Sequence, residues 1–203
     1  MTNSAPKHAF ITGAAIRVGR AVALHLAEAG WDITIHCHRS VKEAESLAAE
    51  IRTRGRSVQI IQGDLSNPED VGTLFTKASA PVNLLIHNAS VFEKDGLGTL
   101  SPERFLKHMQ VNLLAPLLLT QQFQRQLPKG VRGDVICLLD GMQGWSVSAH
   151  YLSYSLSKLA LKDSVQLLAS TLSPHIRING IALGATLPGA QDHPSTFEKI
   201  RAL

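Results

Sequence analysis

Tyr154 and Lys158, within the run Tyr154-Ser-Leu-Ser-Lys158, stand at positions i and i+4. On a helix that spacing puts a phenol and an amine on one face, within reach of each other. A free phenol titrates near pH ~10 and is a poor proton donor at neutral pH; a neighbouring cation lowers that value. The pair is therefore a candidate general acid with its electrostatic helper, although surface helices also produce this spacing by chance. Asp140, which closes the apolar run Asp134–Leu139, adds a carboxyl upstream. Beside a phenol it is either protonated and a donor, or ionised and an orienting acceptor. The plainer alternative is a turn aspartate ahead of Gly141. Tyr151 is a rival phenol, but it lies seven positions from Lys158, two helical turns away.

A second group of residues has the types that hold a dinucleotide. Thr12-Gly13-Ala14-Ala15-Ile16-Arg17-Val18-Gly19-Arg20 separates an apolar strand from a helix. Gly13 permits a tight turn, Gly19 lets the helix pack closely on the sheet, and the helix N-terminus faces a pyrophosphate. After the second strand comes His36-Cys37-His38-Arg39-Ser40, with no carboxylate before Glu43. An acidic residue there would bind the ribose hydroxyls of NAD. His38, Arg39 and Ser40 instead offer donors to a 2′-phosphate, which points to NADP(H). Read blandly, Arg39 is a solvated loop arginine. Asp64-Leu65 and Asn88-Ala89-Ser90 follow the third and fourth strands: Asp64 is placed to accept from an adenine amine, and Ala89 is small enough for close backbone approach. Asp and Asn are also ordinary turn residues. Asn112 precedes Pro116 by four positions in a helical run. Proline has no N–H for the carbonyl of residue 112, which leaves that carbonyl open to a water.

The elements that must position these groups alternate along the chain. Strands are expected at Ala9–Thr12, Ile33–His36, Ser57–Gln62, Val82–His87, Asp134–Leu139 and Ile176–Ile181. Helices are expected at Val18–Ala29, Val41–Arg54, Pro68–Ala80, Pro102–Leu127 and His150–Leu172. Repeated β-α units with apolar, β-branched strands imply a mostly parallel sheet covered on both faces. Right-handed crossovers make this a doubly wound, Rossmann-like α/β/α fold with its crevice at the strand C-terminal ends. No linker or internal repeat interrupts the 203 residues, so one domain, 1–203, is expected.

Composition narrows the function classes. With 44% hydrophobic and 18% charged residues the chain reads as an ordinary soluble protein. No apolar run is long enough to span a bilayer, and Met1–Lys7 lacks a signal-peptide layout. The net charge of +4 is scattered rather than striped, and aromatics are only 5%, which speaks against nucleic-acid binding. Cys37 and Cys137 fall in apolar strands and fit buried thiols in a reducing cytoplasm. The nine histidines show no metal-ligand spacing.

Taken together, Thr12-Gly13 through Gly19, Asp64-Leu65, Asn88-Ala89-Ser90, Asn112 and Tyr154 with Lys158 resemble the short-chain dehydrogenase/reductase family, in the right order and over nearly the whole chain. The resemblance implies hydride transfer between a nicotinamide and a carbonyl, alcohol or C=N group. It implies that Lys158 lowers the Tyr154 pKa and binds the nicotinamide ribose, and that Asn112 holds a relay water through its backbone. Two departures narrow it: Arg17 stands where the family usually has glycine, and Asp140 where it has serine. With His36–Ser40 and Asn88-Ala89-Ser90-Val91-Phe92, these resemble the pteridine reductase branch. That branch implies that Arg17 reaches the cofactor phosphates and a pterin, and that Ser90 and Phe92 hold the pterin against the nicotinamide. Tyr151 is then a pocket tyrosine. Homodimers or homotetramers through the two long leucine-rich helices are the family expectation. Leu183-Gly184 replaces the usual Pro-Gly after strand six, 185–203 resemble a substrate lid, and the family's seventh strand has no counterpart before Leu203. A carbonyl reductase acting on another small substrate, or a cofactor-binding protein without turnover, remains the alternative to a pterin reductase.

Overall fold

The computed structural model describes residues 7–141, 150–184 and 186. In chain order the elements are β1 (His8–Ile11), α1 (Arg17–Glu28), β2 (Asp32–Cys37), α2 (Val41–Thr53), β3 (Val58–Gln62) and α3 (Pro68–Thr73). A short 3₁₀ turn, Phe75–Lys77, leads to β4 (Leu84–His87) and α4 (Pro102–Met109). A π-helical segment, Gln110–Leu114, runs directly into α5 (Ala115–Gln126), followed by β5 (Gly133–Asp140), α6 (Leu152–Leu172) and β6 (Ile176–Leu183). The six strands form one sheet in the order β3-β2-β1-β4-β5-β6, every pair parallel. Strand order reverses between β1 and β4, and a doubly wound sheet binds ligands at that switch point, beyond the strand C-termini. The turn after β1, the segment after β4 and Asp140 at the end of β5 all meet there.

Side-chain alternation divides the core into two layers. On β1, Ala9 and Ile11 face a cluster with Ile33, Ile35, Ala23, Leu47 and Ile51, packed under α1 and α2. Phe10, between them, joins Leu85, Val135, Leu119, Phe123, Leu161 and Ile178 on the other face, under α5 and α6. Each fully buried side chain of this size contributes about 1.5–3 kcal/mol of transfer free energy. The helix starts follow their capping residues: Asn67 accepts from the Glu69 N–H at 3.0 Å ahead of Pro68, and Ser101 accepts from the Arg104 N–H at 3.3 Å ahead of Pro102.

Two helices differ from their sequence expectation. The run Pro68–Ala80 is α-helical only to Thr73. The run Pro102–Leu127 is not one helix: in the π segment the Ala115 N–H bonds the Gln110 carbonyl, inserting one extra residue into the ladder. Pro116 enters within the first two positions of α5, where its missing N–H costs least. The expected lid, 185–203, lies outside the described residues except for Thr186. Among the described residues the sheet ends on β3 and β6, and no helix is long and apolar enough to cross a membrane.

Candidate active site

The turn between β1 and α1 is built by close approach. Gly13 has φ 61°, and a Cβ on Gly19 would stand 2.5 Å from the Gly13 carbonyl oxygen, so α1 can dock only with glycine there. Gly19 does not line the cleft; it packs the helix behind it. Arg17, which stands where the family resembled usually has glycine, also has a positive φ of 53°, a region side-chain-bearing residues avoid. Asn88 Nδ2 donates to the Thr12 and Gly13 carbonyls at 2.8 and 2.9 Å, while the Asn88 and Ala89 N–H groups both donate to Thr12 Oγ1 at 3.0 Å. Both amide hydrogens of Asn88 thus shape the turn. His36 does the same from β2. Its Nδ1 accepts the Gly13 N–H at 3.2 Å, so the proton lies on Nε2, which donates to the Gly63 carbonyl at 3.1 Å. Burial lowers its pKa to about 4, against a smaller opposing pull from the Gly63 carbonyl, so the ring is neutral.

Across the cleft, Asp140, Tyr154 and Lys158 converge. Tyr154 donates a hydrogen bond to the Asp140 carboxylate. Burial first, then the charge of Asp140 and this hydrogen bond, push the phenol above its ordinary value. The resemblance implies a lowering by Lys158; burial and the Asp140 carboxylate act in the opposite direction, and Lys158 is not among the causes of this shift. The Lys158 ammonium donates to the Leu138 carbonyl at 2.9 Å. Burial lowers its pKa to about 8, with Asp140 and Cys137 pulling back upward. Asn112 is 1% exposed and does not line the cleft. Its side chain works from behind, accepting the Val91 N–H at 2.8 Å and donating to Val91 O at 3.0 Å and to Ser157 Oγ at 2.9 Å. It thereby joins the segment after β4 to α6.

That segment is held by two residues that sequence reasoning missed, Asp95 on the segment itself and His108 on α4. Asp95, 3% exposed, accepts the Ser153 N–H at 3.0 Å and the Ser153 hydroxyl, while its backbone N–H donates to the His150 carbonyl at 3.0 Å. It is a capping carboxylate for α6 supplied from 58 residues away in sequence. His108, fully buried, donates from Nδ1 to the Arg104 carbonyl at 2.8 Å and accepts the Glu93 N–H on Nε2 at 3.2 Å. No local spacing signals either residue; each reads as an ordinary loop or helix position. Phe92, 58% exposed, lies flat against Tyr151 at 4.2 Å between ring centroids, and edge-on to Tyr154 at 4.6 Å.

These groups surround a cleft of about 770 Å³. Its walls include Gly13, Arg17, Val18, His38, Arg39, Ser40, Asp64, Leu65, Asn88, Ala89, Ser90, Phe92, Asp140, Tyr154, Lys158 and Gly184. The sequence had placed all of these in one site, and the fold brings them together. The donor set suits a dinucleotide phosphate. Ile16 gives the N-terminus of α1 no side-chain cap and its first turn holds no acidic residue, so the positive end of the helix dipole is directed at the cleft without a carboxylate beside it. Ser40 makes no side-chain cap to α2. Asp64 accepts from the Ser66 N–H and hydroxyl at 2.9 and 2.7 Å and lies 3.6 Å from His38. Burial pushes its carboxyl up, and the two Ser66 hydrogen bonds with His38 and Arg39 outweigh it, for a net lowering. Among the described residues no cluster of His, Cys, Asp or Glu could hold a metal.

The comparisons agree with this geometry. The family model described as short chain dehydrogenase matches residues 7–198. The FolM alternative dihydrofolate reductase 1 of Brucella suis, in complex with NADP, superposes with a TM-score of 0.90 at 36% identity, covering 98% of this chain and 80% of that one. The angucycline C-6 ketoreductase LanV with bound NADP gives a TM-score of 0.86 at 28% identity, covering 96% and 79%. The NADPH-dependent aldehyde reductase 2, chloroplastic, of Arabidopsis thaliana is 28% identical over 193 residues, 87% of this chain and 71% of the relative. With the glycine turn, the parallel sheet and the Tyr154/Lys158 face in place, the chain belongs to the short-chain dehydrogenase family.

Proposed function

We propose that the protein is an NADPH-dependent reductase of a pterin, converting a dihydropterin to its tetrahydro form. The observation that carries this reading is the Asp140 carboxylate hydrogen-bonded to the Tyr154 phenol, where a ketone-reducing member would present a serine. The structural likeness to FolM, an alternative dihydrofolate reductase, supports it. NADPH, when bound, supplies the hydride. Arg39, Ser40 and His38 stand at the end of β2 to bind its 2′-phosphate, and Arg17 with the α1 N-terminus its diphosphate. NADP-bound neighbours support that preference.

The remaining chemistry falls to the chain's own residues. Tyr154 keeps its proton at neutral pH, because burial and Asp140 both disfavour the phenolate, and gives it to a ring nitrogen as the adjacent carbon is reduced. Asp140 accepts the phenol's hydrogen bond before reaction, so that proton reaches the ring nitrogen either directly, as the O–H turns from the carboxylate, or by way of Asp140. Lys158 holds a positive charge below pH about 8 and stands in the same wall to meet the ribose. Phe92 offers the exposed face of an aromatic ring, and Ser90 a hydroxyl, to a flat substrate. A second copy of the chain fits the exposed Leu106, Leu114, Leu156 and Leu167 on α4, the π segment and α6, and light scattering would show a dimer mass.

Steady-state oxidation of NADPH, with NADH as the parallel arm, tests the reading. Turnover of dihydrobiopterin with NADPH, and little with simple ketones, is the expected result. Brisk ketone reduction with no pterin turned over would replace it with a carbonyl reductase. Tight NADPH binding without any turnover would leave a binding protein.

A further inference from the structure

The segment Ser90–Asp95 has a two-residue period. Val91, Glu93 and Asp95 are anchored inward: Val91 by both sides of the Asn112 amide, Glu93 by His108 at 3.2 Å, and Asp95 by His150 and Ser153 at 3.0 Å. Ser90, Phe92 and Lys94, between them, are the exposed residues. Ser90 and Phe92 line the main cleft. Lys94 lines a second concavity with Arg104, His150 and Tyr151, and Tyr151 is the ring stacked on Phe92. The two hollows therefore share the Phe92–Tyr151 wall. The Cα atoms of Phe92 and Lys94, two residues apart, are separated by no more than about 7 Å.

Charge in the second hollow is unbalanced. The carboxylate of Asp95 is buried and already occupied by Ser153. Glu93 takes Lys107 at 2.5 Å and approaches Arg104 at 3.9 Å. Lys94 has no ion-pair partner among the described residues, while its backbone is fixed on both sides. An exposed cation held on a fixed backbone, one step beyond an aromatic platform, is poised to meet the far end of whatever lies on that platform.

We propose that this hollow binds a carboxylate-bearing side chain of the ring substrate, with Lys94 as its counter-ion. Lys94 is then a specificity-determining residue, favouring reduced pterins with an anionic extension over those with a short neutral side chain. This rests on the ring-substrate reading above. A ring against Phe92 sends its substituent over the Phe92–Tyr151 wall toward Lys94.

The test compares dihydrofolate, whose glutamate tail is anionic, with dihydrobiopterin, whose tail is neutral. It uses the wild type, Lys94→Gln and Lys94→Glu, with KM for NADPH and melting temperature reporting on folding. An exposed ion pair is worth up to about 1 kcal/mol, roughly fivefold, so the KM ratio of dihydrofolate to dihydrobiopterin should rise about threefold in Lys94→Gln. Charge reversal in Lys94→Glu should raise it roughly tenfold, and added salt should shrink both effects. An unchanged ratio, or turnover of dihydrobiopterin alone, overturns this inference and leaves the pterin reading standing. Turnover of neither pterin overturns both. If only dihydrofolate turns over, its own salt-sensitive rise in KM supports the assignment, and no rise overturns it.

Discussion

Arg17 is held at φ 53°, where a residue with a side chain is disfavoured by about 1–2 kcal/mol relative to ordinary backbone. Such strain persists where the surroundings over-determine it, and it clusters at ligand sites. Arg17→Gly should therefore keep or raise the melting temperature while raising KM for NADPH; a fall in melting temperature would show that the side chain supports the fold, and an unchanged KM that it does not meet the cofactor. Asp140 makes a prediction with a definite sign. Its charge and hydrogen bond raise the Tyr154 pKa, and its charge raises that of Lys158, which burial has lowered to about 8. Asp140→Ser removes both upward pulls, so each group loses its proton at lower pH. The alkaline limb of the kcat/KM–pH profile should move to lower pH, and a limb that stays or moves upward would contradict this electrostatic arrangement. Tyr154, Lys158 and Asp140 were legible in the sequence because their types and order carry chemistry. The direction of the Tyr154 shift was not, because it depends on burial that no spacing records.

At the scale of elements, α6 carries both Tyr154 and Lys158, and its N-terminus is held by a carboxylate from a distant loop. Removing a cap costs about 1 kcal/mol. Asp95→Ala should lower the melting temperature by a few degrees and, because Phe92 and Tyr154 then lose their common anchor, raise KM for substrate more than KM for NADPH. Asp95→Asn, which keeps an acceptor, should restore most of both; equal rises in the two KM values would make the role purely structural. The order and type of the strands and most helices could be read from apolar runs and caps such as Asn67-Pro68. The π segment could not, since one extra residue leaves the leucine pattern of the helix nearly intact, and only Pro116 hinted at it. His36 read only as the last residue of the second strand, at the start of the run to Ser40. Its role exists only because β1 and β2 are neighbours in the sheet, which brings its ring to the Gly13 N–H.

For the whole molecule, buried neutral histidines set the response to acid. Burial lowers His36 to about 4, and lowers His87 to about 3, with the Lys158 charge adding to the effect. Between these values and the ordinary 6.5 the unfolded chain binds protons that the folded one refuses, so stability is lost as pH falls through that window. At ~1.4 kcal/mol per pH unit, His36 alone withdraws about 3 kcal/mol by pH 4. Urea denaturation at neutral and mildly acidic pH should show the loss, and His36→Asn should flatten the slope; equal stability at both would place these rings in contact with solvent. The stacked rings at the cleft have one more consequence. The chain contains two tyrosines, and both pack against Phe92. Every tyrosine of the chain therefore stands at the active-site wall, so a reagent that modifies phenols reads that wall alone.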